Sequence, residues 1–160
     1  MNPVLRRRLL SFSLLFALPT LVAACCCGPV ESVADKRLEL QRARERWSAN
    51  GVADYTFIVQ RSCECDPATT RMVRVKVVGG QPVSHTYTDD DQPATSPVFS
   101  QIDTAEELFD IIGDALDQGA ARVNASYDTQ DGFPTGISID YDAKAVDDEI
   151  SYRMFGFTSP

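Results

Sequence analysis

DYTFIVQRSCEC (residues 54–65), DPATT (66–70), RMVRVKVV (71–78), GG (79–80) and QPVSHTYT (81–88) follow one another without interruption. Their reading decides the fold. In the first segment Tyr55, Phe57, Val59, Arg61, Cys63 and Cys65 share one parity. If the strand stays extended to its end, the aromatic residues line one face and both cysteines follow them. Asp66-Pro67-Ala68-Thr69 reads as a turn. Met72 to Val78 is a second strand with Val73, Val75 and Val77 aligned, Gly79-Gly80 is a tight hairpin connection, and Pro82 to Thr88 is a third strand. Three consecutive strands with short connections predict an antiparallel meander.

Working outward, the stretch from Glu31 to Asn50 is rich in Arg, Glu, Leu and Ala and carries Val33, Leu40, Ala43 and Trp47 on one narrow stripe. This suits an amphipathic helix stopped by Asn50-Gly51. On the other side, residues 89–102 combine Asp89-Asp90-Asp91 with two prolines and small polar residues, and read as a connecting loop without regular structure. Thr104-Ala105-Glu106-Glu107 is a capping-box pattern, followed by Leu108, Ile111, Ile112, Ala115 and Leu116 at helical spacing until Gly119. Strands are then expected at Arg122 to Tyr127, Thr135 to Tyr141 and Glu149 to Phe157. The order α-β-β-β-α-β-β-β predicts an α+β domain: one antiparallel sheet with both helices on one face. Its regularity suggests an internal repeat, with halves 31–88 and 103–157 joined by the 89–102 loop and Val73–Val77 set against Ile137–Tyr141.

The N-terminal residues carry the address. Arg6, Arg7 and Arg8 precede an apolar run from Leu9 to Val22 that ends in Ala23 and Ala24, the layout of a secretory signal peptide over residues 1–24. The run is shorter than the roughly 20 residues that span a bilayer as a helix. Val22-Ala23-Ala24-Cys25 resembles the lipobox of bacterial lipoproteins, which implies that Cys25 is acylated and begins the mature chain, with residues 25–30 as a tether and 31–160 as the domain. The alternative is ordinary cleavage after Ala24, which would release a soluble secreted protein. Acyl chains contribute about 0.8 kcal/mol per buried CH₂ and would hold the domain at a membrane surface without a span. Localisation in the bacterial envelope follows, on the outer membrane or the outer face of the cytoplasmic membrane.

The whole chain has 15 Lys and Arg against 23 Asp and Glu, a formal charge of -8. Residues 1–24 hold three Arg and no acid, so the mature part keeps 12 basic and 23 acidic side chains, or -11. Such a balance argues against nucleic acid as a partner and against polybasic membrane binding.

With Cys25 acylated, Cys26, Cys27, Cys63 and Cys65 remain, an even number suited to an oxidising compartment. Three pairings are possible. Cys26 with Cys27 is vicinal and rare, Cys63 with Cys65 closes a very small ring, and crossed pairs tie the tether to the domain. A structural disulfide is the favoured reading of Cys63-x-Cys65, with a labile redox pair and a metal site as the alternatives. Metal binding fares poorly, since two thiolates fall short of the four ligands of a closed zinc site. His85 is the single histidine and reads as a packed or surface residue of a strand. Asp89-Asp90-Asp91 and Asp147-Asp148-Glu149 lack the spacing of a calcium loop and read as loops. No cofactor fingerprint is present.

Trp47 closing a helix, Asp54-Tyr55-Thr56-Phe57, Cys63-Glu64-Cys65, Gly79-Gly80, Leu108-Phe109, Asp131-Gly132-Phe133-Pro134-Thr135, Ile139-Asp140 and Asp147-Asp148-Glu149 occur in that order. The pattern, over about residues 38–157, resembles a family of bacterial secreted or lipid-anchored proteins known only as a domain of unknown function. The resemblance implies an α+β fold and an envelope location, and no activity.

The residues themselves read as structure first. Trp47 should pack on Tyr55, Gly132-Phe133-Pro134 should shape a hairpin, and Asp140, on the parity opposite Ile139, should face solvent or cap a turn. An enzyme would require a nucleophile with a base or paired carboxylates in a cleft. Asp128, Asp131, Asp140 and Asp148 are the acids that would have to converge. The preferred reading is a tethered module that binds a protein, such as an envelope partner, or a small ligand through its sheet face or loops, with Arg61, Arg74 and Lys76 as candidate surface residues; an inhibitor of another protein, such as an envelope hydrolase, is the alternative. Arg61 shares the parity of Tyr55 and could instead lie at the core edge. A large exposed aromatic patch on the sheet would favour binding, and buried carboxyls of raised pKa in a cleft would favour an enzyme.

Overall fold

Two capping boxes start the helices. Ser32 Oγ accepts the Asp35 N–H while the Asp35 carboxylate accepts the Ser32 N–H, opening α1 (Val33–Asn50); Thr104 and Glu107 do the same for α2 (Ala105–Asp117). The computed structural model describes residues 31–160. The signal-peptide and lipobox readings, and Cys25, Cys26 and Cys27, lie outside the described residues.

The strands are β1 (Tyr55–Ser62), β2 (Val73–Val78), β3 (Gln81–Tyr87), β4 (Arg122–Tyr127), β5 (Pro134–Asp140) and β6 (Ile150–Thr158). They form one antiparallel sheet in the order β3-β2-β1-β6-β5-β4. Each three-strand run is a meander, and the two are joined through β1 and β6, the first and last strands of the domain. β2 and β5, the two strands set against each other as repeats, take equivalent places in the two halves. The connection from β3 to β4 links the two edges and carries α2 across the sheet.

Both helices cover one face. α2 buries Leu108, Ile112, Ala115 and Leu116 as its spacing predicts and adds Ala105 and Phe109, while Ile111 is only half-buried; α1 buries Leu40, Ala43 and Trp47. Beneath them lie Phe57, Val59, Val73, Val75, Val77, Ile137, Ile139 and Met154. Trp47 meets Tyr55 edge-on at 5.2 Å between centroids, and Phe133 sits 5.2 Å from Phe57 and 4.7 Å from Phe157. Such pairs add about 0.5–1.5 kcal/mol each beyond the area that they bury.

Four expectations need correction. Val33 is 56% exposed, because the first turn of α1 projects past the core. The first strand ends at Ser62, and a bond from the Cys65 N–H to the Cys63 carbonyl (3.0 Å) turns the chain, so the cysteines leave the aromatic face. The 89–102 loop contains a 3-10 turn, Pro97–Gln101, and buries Ala94, Phe99 and Ile102; these few apolar residues close the core between β3 and α2. Asp140 is buried rather than facing solvent, although the register does put it on the parity opposite Ile139 and beside Arg122.

Candidate functional site

The sheet face away from the helices is open, and cross-strand pairing sets its residues in four central rows. Thr86, Arg74, Ile58 and Phe155 form one, and Ser84, Lys76, Thr56 and Thr158 a second. Gln60, Arg153, Gly136 and Ser126 form a third, and Ser62, Ser151, Ser138 and Asn124 a fourth. Three cations stand on these rows and no carboxylate does. Arg74, Lys76 and Arg153 are exposed, and Asp91 approaches Arg74 from the next loop at 3.5 Å. Exposed pairs of that kind contribute little. Arg153 lies over the ring of Phe155 at 5.5 Å, which leaves the guanidinium edge free to donate. Phe155 is the lone aromatic of the four rows; Tyr55, Phe57 and Phe157 are committed to the core cluster. These four rows are therefore basic and small-polar, and not the aromatic patch that would signal an apolar partner; Asp140 stands on the same face beyond them, opposite Arg122.

A second feature sits at the end of the sheet near the β2–β3 turn. His85 follows a bulge in β3, where Lys76 faces Ser84 but Val77 faces Pro82. The bulge sends Val83 outward and leaves His85 beside Val75 on the helix side. There His85 Nε2 lies 2.8 Å from Asp103 Oδ2. Asp103 is 2% exposed, and its Oδ1 is buried and accepts no N–H from the described residues. Glu107 Oε2 accepts the backbone N–H groups of Asp103 (3.0 Å) and Thr104 (3.2 Å), Tyr55 Oη accepts the Ala105 N–H (3.0 Å), and Trp47 Nε1 donates to Glu106 (3.0 Å). Burial first, then a side-chain hydrogen bond and charge repulsion with the Glu107 carboxyl, pushes Asp103 up to about 7. Burial moves the His85 imidazole down against the pull of Glu107, and it pushes Tyr55 up to about 12.

These shifts predict how stability depends on pH. Between roughly pH 4 and 7 folded Asp103 retains a proton that the unfolded chain, with an Asp near 3.9, has lost. That contribution is lost as pH rises through about 7. His85 acts in the other direction: its lowered value costs stability as pH falls below about 6.5. Asp103→Asn keeps an acceptor for His85 and removes only the first effect. Urea unfolding at pH 5 and pH 8 should show the variant gaining on the parent by on the order of 2 kcal/mol across that interval. Parallel pH profiles would show that Asp103 holds no such proton.

Residues 39–159 match the family described as "Family of unknown function (DUF6174)". The chain belongs to that family. The match begins inside α1 and ends just past β6, so it takes in the six-stranded sheet, α2 and the part of α1 from residue 39 onward. No curated protein and no solved structure matches the chain.

The residues singled out from the sequence go to different places. Cys63 and Cys65 stand at disulfide distance, with Cα atoms 5.4 Å apart, and Thr69 Oγ1 lies 3.5 Å from Cys65 Sγ. Arg74 and Lys76 belong to the open face. Arg61 does not: it pairs with Tyr152 on the helix side and donates to Thr69 Oγ1 at 3.3 Å, at the core edge. The four acids do not converge. Asp128 and Asp131 accept backbone N–H groups inside the β4–β5 turn, whereas Asp140 and Asp148 lie at the other end of β5. The carboxyl that burial does perturb, Asp103, is not among them. Its only sequence signal is its place directly before the Thr104 capping box, and nothing in the sequence links it to His85.

Proposed function

We propose that this chain is a lipid-anchored protein of the bacterial cell envelope that works by binding, its open sheet face docking on an acidic surface of another envelope protein. One observation carries the docking part: a domain of 12 basic and 23 acidic side chains places Arg74, Lys76 and Arg153 on sheet rows without a carboxylate. Segregation of that kind steers an anionic partner and sets its register. Ile58 and Phe155 between the cations supply a small apolar centre, surrounded by Ser and Thr. For the anchor the support is Val22-Ala23-Ala24-Cys25 after a basic start and a short apolar run. The spacing of Cys63 and Cys65 suits a disulfide formed in an oxidising envelope.

Zero-length coupling of amines to carboxylates in isolated envelopes, followed by mass spectrometry, tests the docking face. Lys76 should be joined to an Asp or Glu of one envelope protein, and Arg74→Glu with Arg153→Glu should abolish that peptide. Coupling that survives both substitutions, or none at Lys76, would overturn the reading. Intact-mass analysis of the protein from its native membrane fraction tests the rest. The expected mass begins at an acylated Cys25 and rises by two protons per disulfide on reduction. An unacylated chain with free thiols at Cys63 and Cys65 would remove both the anchor and the disulfide.

A further inference from the structure

Where β3 meets the N-terminus of α2, a cleft of about 530 Å³ opens beside the Asp103 and Glu107 carboxyls. Its walls include three acids, Asp103, Glu106 and Glu107, and neither Lys nor Arg. Glu106 accepts from Trp47 Nε1 through Oε1, and Glu107 accepts from the backbone of the α2 cap through Oε2. Asp103 is different. It is almost wholly buried and uses Oδ2 on His85, and once it gives up the proton that it shares with Glu107, no donor among the described residues reaches Oδ1. An acceptor left unmatched in a buried site costs about 1–3 kcal/mol, and a ligand that donates to it recovers that cost. Val52, Pro82 and the ring of Tyr55 add apolar wall to the same cleft.

We propose that this cleft binds the ammonium group of a small primary amine, with Asp103 taking the charge and Val52 and Pro82 packing on a short aliphatic body. An ammonium carries three N–H donors on a compact charge, which suits a free carboxyl oxygen in a cleft that Tyr55 also lines. A divalent cation suits the cleft less well. It needs six or more oxygens at short range, and among the described residues no group of three or more His, Cys, Asp or Glu is placed to hold a metal. The helix N-terminus, worth about +0.5 charge, is already satisfied by Thr104 Oγ1, Glu107 Oε2 and Tyr55 Oη.

Proton balance follows from the groups that face Asp103: His85 from β3, Tyr55 from β1, Glu106 and Glu107 from α2. Burial lowers the His85 imidazole, so it offers no competing cation near pH 7, and the Tyr55 phenol carries no positive charge in either of its forms. The amine enters protonated, Asp103 ionises, and its proton leaves to solvent. Apparent affinity should therefore rise with pH, by up to tenfold per unit, until Asp103 is fully ionised.

His85 is the single histidine of the chain, so its ring resonances report on the site without ambiguity. The experiment titrates full-length protein carrying ¹³C-labelled histidine with n-butylammonium chloride at pH 6 and pH 8. The expected result is a saturable shift of the His85 signal, at least tenfold tighter at pH 8 and at least tenfold weaker in Asp103→Asn. Tetramethylammonium, equal in charge but without N–H donors, should not saturate it. Gln81→Trp, at the exposed rim of the cleft, should also abolish the response, and it leaves the buried residues untouched should Asp103→Asn unfold. An absent response, equal responses in parent and variants, saturation by tetramethylammonium, or saturation by Mg²⁺ or Ca²⁺ alone would overturn the proposal.

Discussion

Phe57→Ala is expected to lower stability by about 3–5 kcal/mol and to bring the thermal midpoint down by 10 °C or more, at roughly 3 °C per kcal/mol for a domain of this size. Phe57 has no exposed surface. It lies on β1, one of the two central strands, with the Phe133 ring 5.2 Å away and the Tyr55 ring stacked at 6.1 Å. Truncation removes the ring and leaves a cavity that its neighbours cannot close, since Val75 and Val59 are fixed by the sheet register and Phe133 by its hairpin. β1 also joins the two meanders through β6, so the loss falls on the seam of the sheet. Phe155→Ala, on the open face of the same seam, removes an aromatic ring of similar size that is already 36% exposed. It should cost less than about 1.5 kcal/mol. Equal losses at the two positions in denaturant unfolding would contradict the one-sided core.

Gly132→Ala is the second large effect, about 3 kcal/mol or more, although it adds a single methyl group. Gly132 has φ +83°, and a Cβ there would sit 2.3 Å from the Ala43 carbonyl oxygen and 3.0 Å from Arg46 Cβ. Two costs therefore combine: a left-handed conformation, about 1–2 kcal/mol for an L side chain, and a collision with helix backbone that has no rotamer by which to yield. Relief requires α1 to lift from the β4–β5 turn, which would pull Ala43 and Trp47 from the core. Gly51→Ala supplies the control. Gly51 is also left-handed, at φ +60°, but nothing lies within 4 Å of the position a Cβ would take, so only the conformational cost of about 1 kcal/mol applies. Comparison of the two urea midpoints separates strain from collision, and comparable losses would show that the close approach of turn and helix does not hold in solution.

Much of the fold was legible because its elements follow local rules. Alternation in residues 54–88 set three strands, Thr104 and Glu107 set the start of α2, and paired glycines at 79 and 80, both with positive φ, made the hairpin. What misled was equally local in form. Parity carried Cys63 and Cys65 along the aromatic face only while the strand stayed extended, and the Cys65 to Cys63 backbone bond ends it sooner. Prolines and small polar residues in 89–102 hid the three apolar side chains that enter the core. The candidate site was less legible. Arg74 and Lys76 could be set on the solvent side from period two alone, but Arg153 joins them only because β6 returns to pair with β1. Asp103 and His85 meet across 18 residues, through a bulge that resets the parity of β3, and neither bulge nor meeting has a signature in the chain.

By itself the sequence determined the class of domain, the order and approximate limits of its strands and helices, its acidic charge, and the motif from which an anchor at Cys25 is proposed. These depend on periodicity, capping and turn chemistry, which act over a few residues. Tertiary structure alone decided the strand order β3-β2-β1-β6-β5-β4, the gathering of three cations on one open face, and the burial of Asp103 against His85 and Glu107. Those outcomes depend on which distant segments share a buried surface. Burial, which shifts the Asp103 carboxyl and strands its Oδ1, exists only once the whole sheet has closed against α2.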